Sequence, residues 1–485
     1  MSSCCSGARR SEPQTEARTA TARLPVAVIG GGPVGLAAAA HLLERGLEPM
    51  VLEAMPSVGA APRDWGHVHM FSPWRYNIDR VARALLERHG WKAPDPEGFP
   101  TGRDLAEDYL EPLARLPELA PHLRLGARVT GVARLGAGKV RNAGRELQPF
   151  EVRFEDADGK QSRLLARAVI VATGTWGNPS PAGSSGLPAI GECEVADRIR
   201  YGMPDVLGAE TRRYGRKRTL VVGSGHSAVG TLIDLSALAH QVPGTAVLWA
   251  ARTADLTRAY GGGAADQLPE RGALGQRLRH LVETGAVELL APFAVDEVRR
   301  SADGSLVVLD AGGRAVAVDE MVVATGLRPD FGILREVRLD LDPALECPRV
   351  LAALIDPNVH SCGTVRPHGA EELVQPEPGL FLAGMVSYGR APTFLLATGY
   401  EQVRSIAAFL AGDVEAARRV ELDLPQTGVC SSSRVLPGAA ETESACCTPV
   451  TPQGACCAPK PELAEGEACC GSAARKNATQ VEPAE

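Results

Sequence analysis

The feature that most constrains the fold is an apolar segment followed at once by a regular pattern of glycines, in "VAVIGGGPVGLAAAAHLLERGLEPMVLEA" from Val26. We predict a buried strand at 26–29, a helix at 34–45 and a second strand that ends at Glu53. The glycines between the first strand and the helix have the spacing G-x-G-x-x-G: Gly30, Gly32 and Gly35. In such a unit they make a tight turn, let the backbone approach a pyrophosphate and let the helix pack on the strand. The helix N-terminus then faces the phosphates, and Glu53 lies where a ribose hydroxyl needs an acceptor. The sequence therefore predicts a dinucleotide-binding unit.

A second unit of the same kind begins at Arg218 with "RTLVVGSGHSAVGTLIDL". A strand is predicted at 220–222, a helix at 227–240 and a further strand at 246–250. The motif between the first strand and the helix is the variant G-x-G-x-x-A: Gly223, Gly225 and Ala228. No acid occupies the ribose position, and Arg252 lies close by. A guanidinium group suits a 2′-phosphate, which an acid would repel, so NADPH is favoured over NADH. The alternative, NADH with Arg252 as a solvated surface residue, stays open.

Two short repeats bracket this second unit. Each is an apolar strand that ends in Ala-Thr-Gly, first with Thr173 and Gly174 and then with Thr325 and Gly326. The order of glycine motif, ATG, glycine motif, ATG resembles the two-dinucleotide-binding-domain flavoproteins, which include flavin monooxygenases and thioredoxin-reductase-like enzymes. The resemblance runs from about Leu24 to Gly412. It implies FAD on the first unit and NADPH on the second.

The expected fold class is α/β, with two Rossmann-like, doubly wound, three-layer dinucleotide-binding domains, one inserted in the other, and disordered termini. The expected segments are an N-terminal segment, a first FAD-binding part, an NAD(P)H-binding domain, a second FAD-binding part and a cysteine-pair tail, at 1–23, 24–175, 176–330, 331–412 and 413–485.

The end of the body carries a further flavin signature, "GLFLAGMVSYGRAPTFLLATGYEQV" from Gly379. An apolar strand leads into Gly384, where many relatives have Gly-Asp and this chain has Met385. A helix is expected at 393–410, with Pro392 in its first turn. The resemblance implies that the start of this helix faces the flavin, where its dipole favours a reduced, anionic flavin. It therefore places flavin contacts at Pro392 and Thr393. The alternative is an ordinary C-terminal core helix.

The spacing of the cysteines limits which reactions the flavin can carry out. Thiol and disulfide exchange next to a flavin requires two cysteines with the spacing C-x-x-C, one to attack and one to resolve. This spacing is absent from the sequence. Monooxygenation asks the protein mainly to position groups and exclude water. However, the F-x-G-x-x-x-H fingerprint of typical flavin-containing monooxygenases is also missing, since Ile190 precedes Gly191 and no histidine follows. We predict the monooxygenase type and keep a reductase as the rival.

Two loop-rich stretches resemble parts of a site. The segment "PRDWGHVHMFSPWRYNID" from Pro62 concentrates aromatic and histidine side chains, and Trp65 is the predicted flavin contact in it. The alternative is a surface loop with an aromatic anchor. The segment "DPNVHSCGTVRPHG" from Asp356 holds the candidate catalytic residues His360, Cys362 and His368, because a thiol among cationic groups is acidic and reactive. A structural loop with one buried cysteine is the alternative.

Eight of the 12 cysteines form adjacent pairs at the two ends of the chain: Cys4, Cys5, Cys446, Cys447, Cys456, Cys457, Cys469 and Cys470. The tail around the last three pairs is rich in Pro, Ala, Gly and Glu, so we expect no fold of its own. Adjacent cysteines make strained disulfides, whereas paired thiolates suit As(III), Cu(I) or Hg(II). The pairs, "HSCGTVRPHG" and "GMVSYGRAPTFLLATGYEQVRS" together resemble the flavoprotein monooxygenases associated with bacterial arsenic resistance. That resemblance implies arsenic detoxification, with the pairs as metalloid ligands.

Composition and charge narrow the remaining possibilities. The net charge of −7 gives no electrostatic footprint for nucleic acid. The N-terminus has no apolar signal region and no long apolar run occurs, so we expect no membrane span and a cytoplasmic enzyme. We predict an FAD- and NADPH-dependent oxidoreductase acting on a small-molecule substrate, with trivalent arsenicals as the candidate. The alternatives are a thiol/disulfide or metalloid reductase that uses the tail pairs, and a metalloid-binding flavoprotein without turnover. A homodimer is left open.

Overall fold

The computed structural model describes residues 21–261, 269–358, 366–392 and 394–422. Several residues singled out above lie outside these ranges: His360, Cys362, Thr393 and the eight paired cysteines. Within the described residues, no helix combines the length and apolarity that crossing a bilayer requires.

The strands, in chain order, are β1 Val26–Ile29, β2 Pro49–Leu52, β3 Leu123–Arg124, β4 Arg128–Arg134, β5 Phe150–Glu155, β6 Gln161–Ala166, β7 Ala168–Val171, β8 Ile199–Tyr201, β9 Arg218–Val222, β10 Ala246–Ala250, β11 Glu288–Leu290, β12 Val295–Arg300, β13 Leu306–Asp310, β14 Ala315–Val318, β15 Glu320–Val323 and β16 Leu380–Leu382.

The α-helices are α1 Pro33–Glu44, α2 Ala60–Asp64, α3 Arg80–Arg88, α4 Gly102–Asp104, α5 Glu111–Ala114, α6 Thr211–Tyr214, α7 His226–Gln241, α8 Thr257–Tyr260, α9 Pro269–Glu283, α10 Arg349–Ile355, α11 Ala370–Leu373, α12 Leu396–Leu410 and α13 Val414–Arg418. A π-helical segment, Leu105–Leu110, joins α4 to α5.

The first sheet has the order β16-β7-β1-β2-β3, and its neighbouring strands are parallel. Every residue of β1 is buried, as expected for a strand covered on both faces. The helices α1 and α12 contribute to the core on one face of the sheet. The other face packs on the antiparallel sheet β4-β5-β6. The third layer of this half is therefore an antiparallel sheet.

The second sheet repeats this plan with the order β11-β10-β9-β15-β8, again parallel. One face packs against α7 and α9, and the other against the antiparallel sheet β12-β13-β14. All its strands lie between β7 and β16 in the chain. After the nucleotides that the sequence predicts for them, we call the part built on the first sheet the flavin half and the part built on the second the nicotinamide half.

Two chain segments cross between the halves, and they pair with each other. Pro179 bridges to Leu327, and the Arg328 N–H donates to the Asn178 carbonyl at 2.9 Å. The Asn178 amide also donates to the Pro329 carbonyl at 3.2 Å. The chain thus enters and leaves the nicotinamide half at one place.

Candidate active site

In the glycine turn after β1, the three glycines differ in whether the surrounding structure leaves room for a side chain. Gly30 has φ of 110°, and a Cβ there would lie 2.5 Å from the Ala172 carbonyl oxygen. A Cβ on Gly35 would lie 1.9 Å from the Gly30 carbonyl oxygen. A Cβ on Gly32 would meet nothing within 4 Å. The fold itself therefore requires Gly30 and Gly35, while Gly32 faces open space at the N-terminus of α1, where the sequence predicts the pyrophosphate of FAD.

Glu53, immediately after β2, has its carboxylate fixed by the backbone. Its Oε2 accepts from the Gly31 N–H at 2.5 Å, and its Oε1 accepts from the Met55 N–H at 2.8 Å. Each carboxylate oxygen has a second lone pair, so the group can still accept from a ribose hydroxyl. The arrangement fits the predicted role of Glu53.

The turn after β9 repeats this geometry. Gly223 has φ of 130°, and a Cβ there would lie 2.3 Å from the Ala324 carbonyl oxygen. Gly225 has open space where its Cβ would be. Ala228 is fully buried under the turn. A buried indole holds the turn, since Trp249 Nε1 donates to the Gly223 carbonyl at 2.7 Å. The N-terminus of α7 therefore has the same open geometry as that of α1, and binding of a second pyrophosphate there stays a prediction.

The two ATG repeats lie directly behind the two glycine turns. The carbonyl of the first alanine in each repeat is the group that a Cβ on Gly30 or on Gly223 would strike. Thr173 is exposed, and Gly174 and Gly326 have φ of 66° and 114°. The Thr325 hydroxyl lies 2.9 Å from the carbonyls of Ser180 and Pro181, so this side chain ties the turn to the crossing segment. The alanine carbonyls of the two repeats therefore pack against the two glycine turns and leave no room for a side chain at Gly30 or Gly223.

Around Val34, three parts of the flavin half converge. The Val34 side chain lies 3.1 Å from the position of a Cβ on Gly384 and 2.6 Å from that of a Cβ on Gly399. Gly384 has φ of 74° and follows β16, while Gly399 lies in α12. The predicted FAD residues near Gly32 and Gly384 and the first turns of α12 are thereby brought together.

The helix α12 starts later than the sequence predicts. It begins at Leu396, because Leu395 has an extended backbone with φ of −115° and ψ of 148°. Pro392 therefore lies four residues before the helix and not in its first turn, which corrects the expectation above. Phe394 packs edge-on against the Tyr388 ring at 5.2 Å, so a tertiary contact holds this side chain before the helix begins. No described side chain caps α12, and the Thr398 N–H donates to the Leu395 carbonyl at 3.0 Å, which leaves the N–H groups of Leu396 and Ala397 for an anionic partner.

A buried polar network links Gly384 to His368, and the sequence did not predict it. The Gln402 side chain in α12 accepts from the Gly384 N–H at 2.6 Å and lies 2.8 Å from His368 Nε2. Its amide also donates to the Ser387 hydroxyl at 3.0 Å. The sequence carries no distinct signal for it, because Gln402 is one of several polar residues of α12, with Thr398, Glu401, Arg404 and Ser405.

His368, a predicted catalytic residue, is only 3% exposed. Its Nδ1 lies 3.2 Å from the Arg366 carbonyl, so Nδ1 donates and Nε2 accepts from the Gln402 amide. Burial lowers the pKa of His368, which keeps the ring neutral at physiological pH. Both ring nitrogens have protein partners, and a catalytic role for His368 stays a prediction.

The aromatic and histidine-rich segment from Pro62 lies against both halves. The Trp65 ring covers Gly102, whose Cβ would lie 2.4 Å from it, and Trp74 is part of the core. The Trp176 indole, in the first crossing segment, donates to Asp64 Oδ2 at 3.0 Å. The ring of Phe71 lies 5.2 Å from the ring of His226, the first residue of α7. The segment therefore contacts the nicotinamide half next to its predicted pyrophosphate site.

Arg252 lies two residues after β10 and is exposed. Its Nη1 donates to the Ser184 carbonyl at 3.2 Å. The guanidinium is thus placed just beyond the end of β10, and its contact with a ribose 2′-phosphate stays a prediction.

Comparison with known proteins decides the family. The pyridine nucleotide-disulphide oxidoreductase family matches residues 27–347. The chain belongs to this family. The prediction of a two-dinucleotide-binding-domain flavoprotein, an oxidoreductase that uses FAD and a nicotinamide nucleotide, is confirmed.

Individual relatives fall into two groups. Ferredoxin–NADP reductase 1 of Bacillus velezensis is 23% identical over 398 residues, which cover 79% of this chain and 91% of the relative. The indole-3-pyruvate monooxygenase YUCCA1 of rice is 30% identical over 217 residues, or 43% of this chain and 44% of the relative. The chain therefore spans less than half the length of that monooxygenase.

Solved structures agree on the fold. The bacillithiol disulfide reductase Bdr of Bacillus cereus superposes with a TM-score of 0.57 at 21% identity, covering 80% of this chain and 99% of that chain. The cadaverine monooxygenase DfoA of Erwinia amylovora, solved with FAD, also has a TM-score of 0.57, at 18% identity, and covers 84% and 99%. At these identities the likeness establishes the α/β architecture of two halves.

Proposed function

We propose that the protein is an FAD-dependent monooxygenase that takes reducing equivalents from NADPH and oxygenates a thiophilic small molecule, a trivalent arsenical. The observation that carries this proposal is a pair of open glycine turns with no dithiol beside them among the described residues. C-x-x-C is absent from the whole sequence. Among the described residues, the free thiols are Cys193, which is exposed, and Cys347, which is buried. Burial raises the pKa of Cys347 to about 12, so this thiol is unreactive at neutral pH.

The residues of the flavin half support binding and orientation of FAD. Gly32 and the N-terminus of α1 receive the pyrophosphate, and Glu53 accepts from a ribose hydroxyl. The uncapped N-terminus of α12 supports negative charge on a reduced cofactor. When bound, FAD supplies the acceptor for hydride from the nicotinamide and the donor of electrons to oxygen.

The nicotinamide half supports the use of NADPH. Gly225 leaves room for a pyrophosphate at the N-terminus of α7, and Arg252 lies where the 2′-phosphate is read. The contact between Phe71 and His226 joins this site to the flavin half, which brings both nucleotides to neighbouring surfaces.

The substrate class rests on the sequence. Paired thiolates at both ends of the chain suit a soft, thiophilic ion, and the resemblance to arsenic-resistance flavoproteins points to As(III). In this proposal the pairs capture the metalloid and raise its concentration near the oxidising site.

A thiol-dependent reductase is the second candidate. The family description includes disulphide chemistry, and the bacillithiol disulfide reductase named above shares the fold. In that case a tail pair substitutes for the missing dithiol of the body.

The deciding experiment measures the consumption of NADPH and oxygen together over a panel of trivalent arsenicals, with inorganic arsenite and methylarsenite as two members. We expect oxygen and NADPH to be consumed in equal amounts with formation of pentavalent product and little hydrogen peroxide. NADPH consumption that does not need oxygen and that disappears when the tail cysteines are replaced by serine favours the reductase. If arsenite binds but neither NADPH nor oxygen is consumed, both enzymatic functions are excluded and the protein is a metalloid-binding flavoprotein without turnover.

A further inference from the structure

A tight turn in the nicotinamide half, close to the flavin half, contains two serines. The Gly186 N–H donates to the Gly183 carbonyl at 3.1 Å, which places Ser184 and Ser185 at the corners of the turn. The turn is compact, since a Cβ on Gly183 would lie 2.1 Å from the Leu187 carbonyl oxygen. The Ser184 N–H donates to the Val295 carbonyl at 2.9 Å. We call residues 183–186 the serine turn.

A buried carboxylate holds the base of the serine turn. Glu192 is 2% exposed. It accepts from the Ala182 N–H at 2.9 and 3.1 Å and from the Ala189 N–H at 2.6 Å. The Tyr201 hydroxyl also donates to it at 2.5 Å. Burial, together with the neighbouring Glu192, raises the pKa of Tyr201, so this hydroxyl stays a donor. The serine turn is therefore fixed before any ligand arrives.

Two arginines, one from each half, reach the serine turn. Arg252 of the nicotinamide half donates to the Ser184 carbonyl at 3.2 Å. Arg390 of the flavin half places its Nη2 3.7 Å from the position of a Cβ on Gly186. Ser184 and Gly186 are two residues apart, and their Cα atoms therefore lie within about 7 Å. The two guanidinium groups are brought to one small surface.

These donors have no anion within the part of the chain that the structure describes. Neither Arg252 nor Arg390 contacts a carboxylate there, whereas the nearby Arg328 is paired with Glu346. The hydroxyls of Ser184 and Ser185 also make no hydrogen bond to the described residues. Two guanidinium groups and two hydroxyls at one tight turn are the kinds of donor that bind a tetrahedral phosphate-like oxyanion.

We infer that the serine turn, Arg252 and Arg390 form a phosphate site whose ligand is the 2′-phosphate of NADPH. The inference rests on the proposed use of NADPH and adds Arg390 as a second specificity-determining residue. A 2′-phosphate is expected here because Arg252 lies at the end of β10, beside the ribose position of the nicotinamide half. Since Arg390 comes from the flavin half, the site is complete only when the halves are arranged as in this structure.

The test measures binding to the full-length protein by calorimetry with two ligands that differ by one group, 2′,5′-ADP and 5′-AMP. The variants are Arg390→Ala, Arg390→Lys and Arg252→Ala. The matched control is Arg163→Ala, which removes an exposed arginine of β6. We expect each alanine variant at the site to weaken binding of 2′,5′-ADP by about tenfold or more, as loss of a charge-assisted contact should. Binding of 5′-AMP should stay unchanged, Arg390→Lys should be intermediate, and the control should match the natural protein.

The other outcomes overturn the inference in different ways. If Arg390→Ala binds 2′,5′-ADP as the natural protein does while Arg252→Ala does not, Arg390 is not part of the site. If inorganic phosphate binds and loses affinity in Arg390→Ala while 2′,5′-ADP keeps its affinity, the occupant is a free oxyanion. If the natural protein binds 2′,5′-ADP and 5′-AMP equally well, the 2′-phosphate is not read at all. Because none of these measurements needs turnover, failure to oxygenate arsenicals would contradict the proposed reaction and leave this site standing.

Discussion

At the scale of single residues, glycines that look equivalent in the sequence have separate functions. Gly35 and Gly30 are required because neighbouring backbone atoms occupy the space of a side chain. Gly32 and Gly225 have extended backbones, with φ of −81° and −84°, and nothing around them obstructs a side chain. Substitution at the second pair should therefore affect ligands and not folding.

The first prediction concerns Gly32. Gly32→Val should give colourless protein, because the valine side chain occupies the space of the FAD pyrophosphate. The apoprotein should have a free energy of unfolding within about 0.5 kcal/mol of natural apoprotein. Visible absorbance and chemical denaturation check the two parts. Gly35→Ala is the contrasting variant and should lose stability as well as flavin, and a yellow Gly32→Val protein would contradict the assignment.

In the nicotinamide half, Gly225 is the counterpart of Gly32. Gly225→Val should retain FAD and its colour but lose reduction by NADPH, because the obstruction lies at the N-terminus of α7. Anaerobic stopped-flow reduction is the measurement, with dithionite as the control reductant. Normal reduction by NADPH would show that the pyrophosphate does not use this turn.

The third prediction addresses Arg252. Arg252→Ala should raise the KM for NADPH by about tenfold or more and leave the KM for NADH nearly unchanged, because one charge-assisted phosphate contact is lost. Steady-state kinetics with both nucleotides decide the matter. Equal effects on the two would mean that Arg252 does not distinguish them.

At the scale of elements, a buried ion pair joins α1 to α3. His41 is 1% exposed, and its Nε2 lies 2.9 Å from Asp79 Oδ2. Burial alone lowers the pKa of His41, but the charge and hydrogen bond of Asp79, with a further contribution from Glu44, raise it to about 9. Asp79 also caps α3 by accepting from the Ala82 N–H at 2.9 Å. One carboxylate thus serves the helix and the ion pair.

The fourth prediction follows from this pair. The pKa of His41 is higher in the folded state than the ordinary value of 6.5. Its contribution to stability is therefore fully present below about pH 6.5 and is lost as the pH rises through about 9. Asp79→Asn keeps a capping oxygen but removes the charge, and should cost on the order of 3 kcal/mol at neutral pH. Thermal unfolding from pH 6 to 10 should show a steeper fall for the natural protein than for this variant, and parallel curves would contradict the assignment.

The elements also show how far the sequence could predict the molecule. Both strand–glycine–helix units were predicted to within one residue at each helix end, because apolar strands and glycine spacing are local signals. The later start of α12 was missed, because the extended backbone of Leu395 and the contact of Phe394 with Tyr388 are tertiary features that the local signal of Pro392 does not record. The Gln402–His368 network and the approach of Arg390 to the serine turn depend on segments far apart in the chain, and no local pattern records them.

At the scale of the whole molecule, the boundary of the folded body lies beyond Gly412. The helix α13 packs on α12, where Arg404 Nη1 donates to the Ala416 carbonyl at 2.9 Å and the Ser405 hydroxyl donates to the Ala417 carbonyl at 2.6 Å. A truncation that separates the cysteine tail from the body should therefore end after Leu422.

The fifth prediction uses that truncation. Removal of residues after Leu422, combined with Cys4→Ser and Cys5→Ser, should abolish most arsenite binding and leave the flavin reducible by NADPH. The predicted ligands are then absent while both glycine turns are intact. Equilibrium dialysis with arsenite and anaerobic reduction are the measurements. Undiminished arsenite binding would exclude the pairs as the principal ligands.

The paired crossing segments have a consequence for how such a protein can change over evolutionary time. Because Pro179 and Leu327 face each other across one bridge, a recombination event that joins new sequence at these two points exchanges an entire nucleotide-reading module. The flavin half would then contact a new insert through the same two crossing segments. A lineage can therefore acquire a different electron donor in one genetic step, and refine the contacts of Phe71 and Arg390 afterwards.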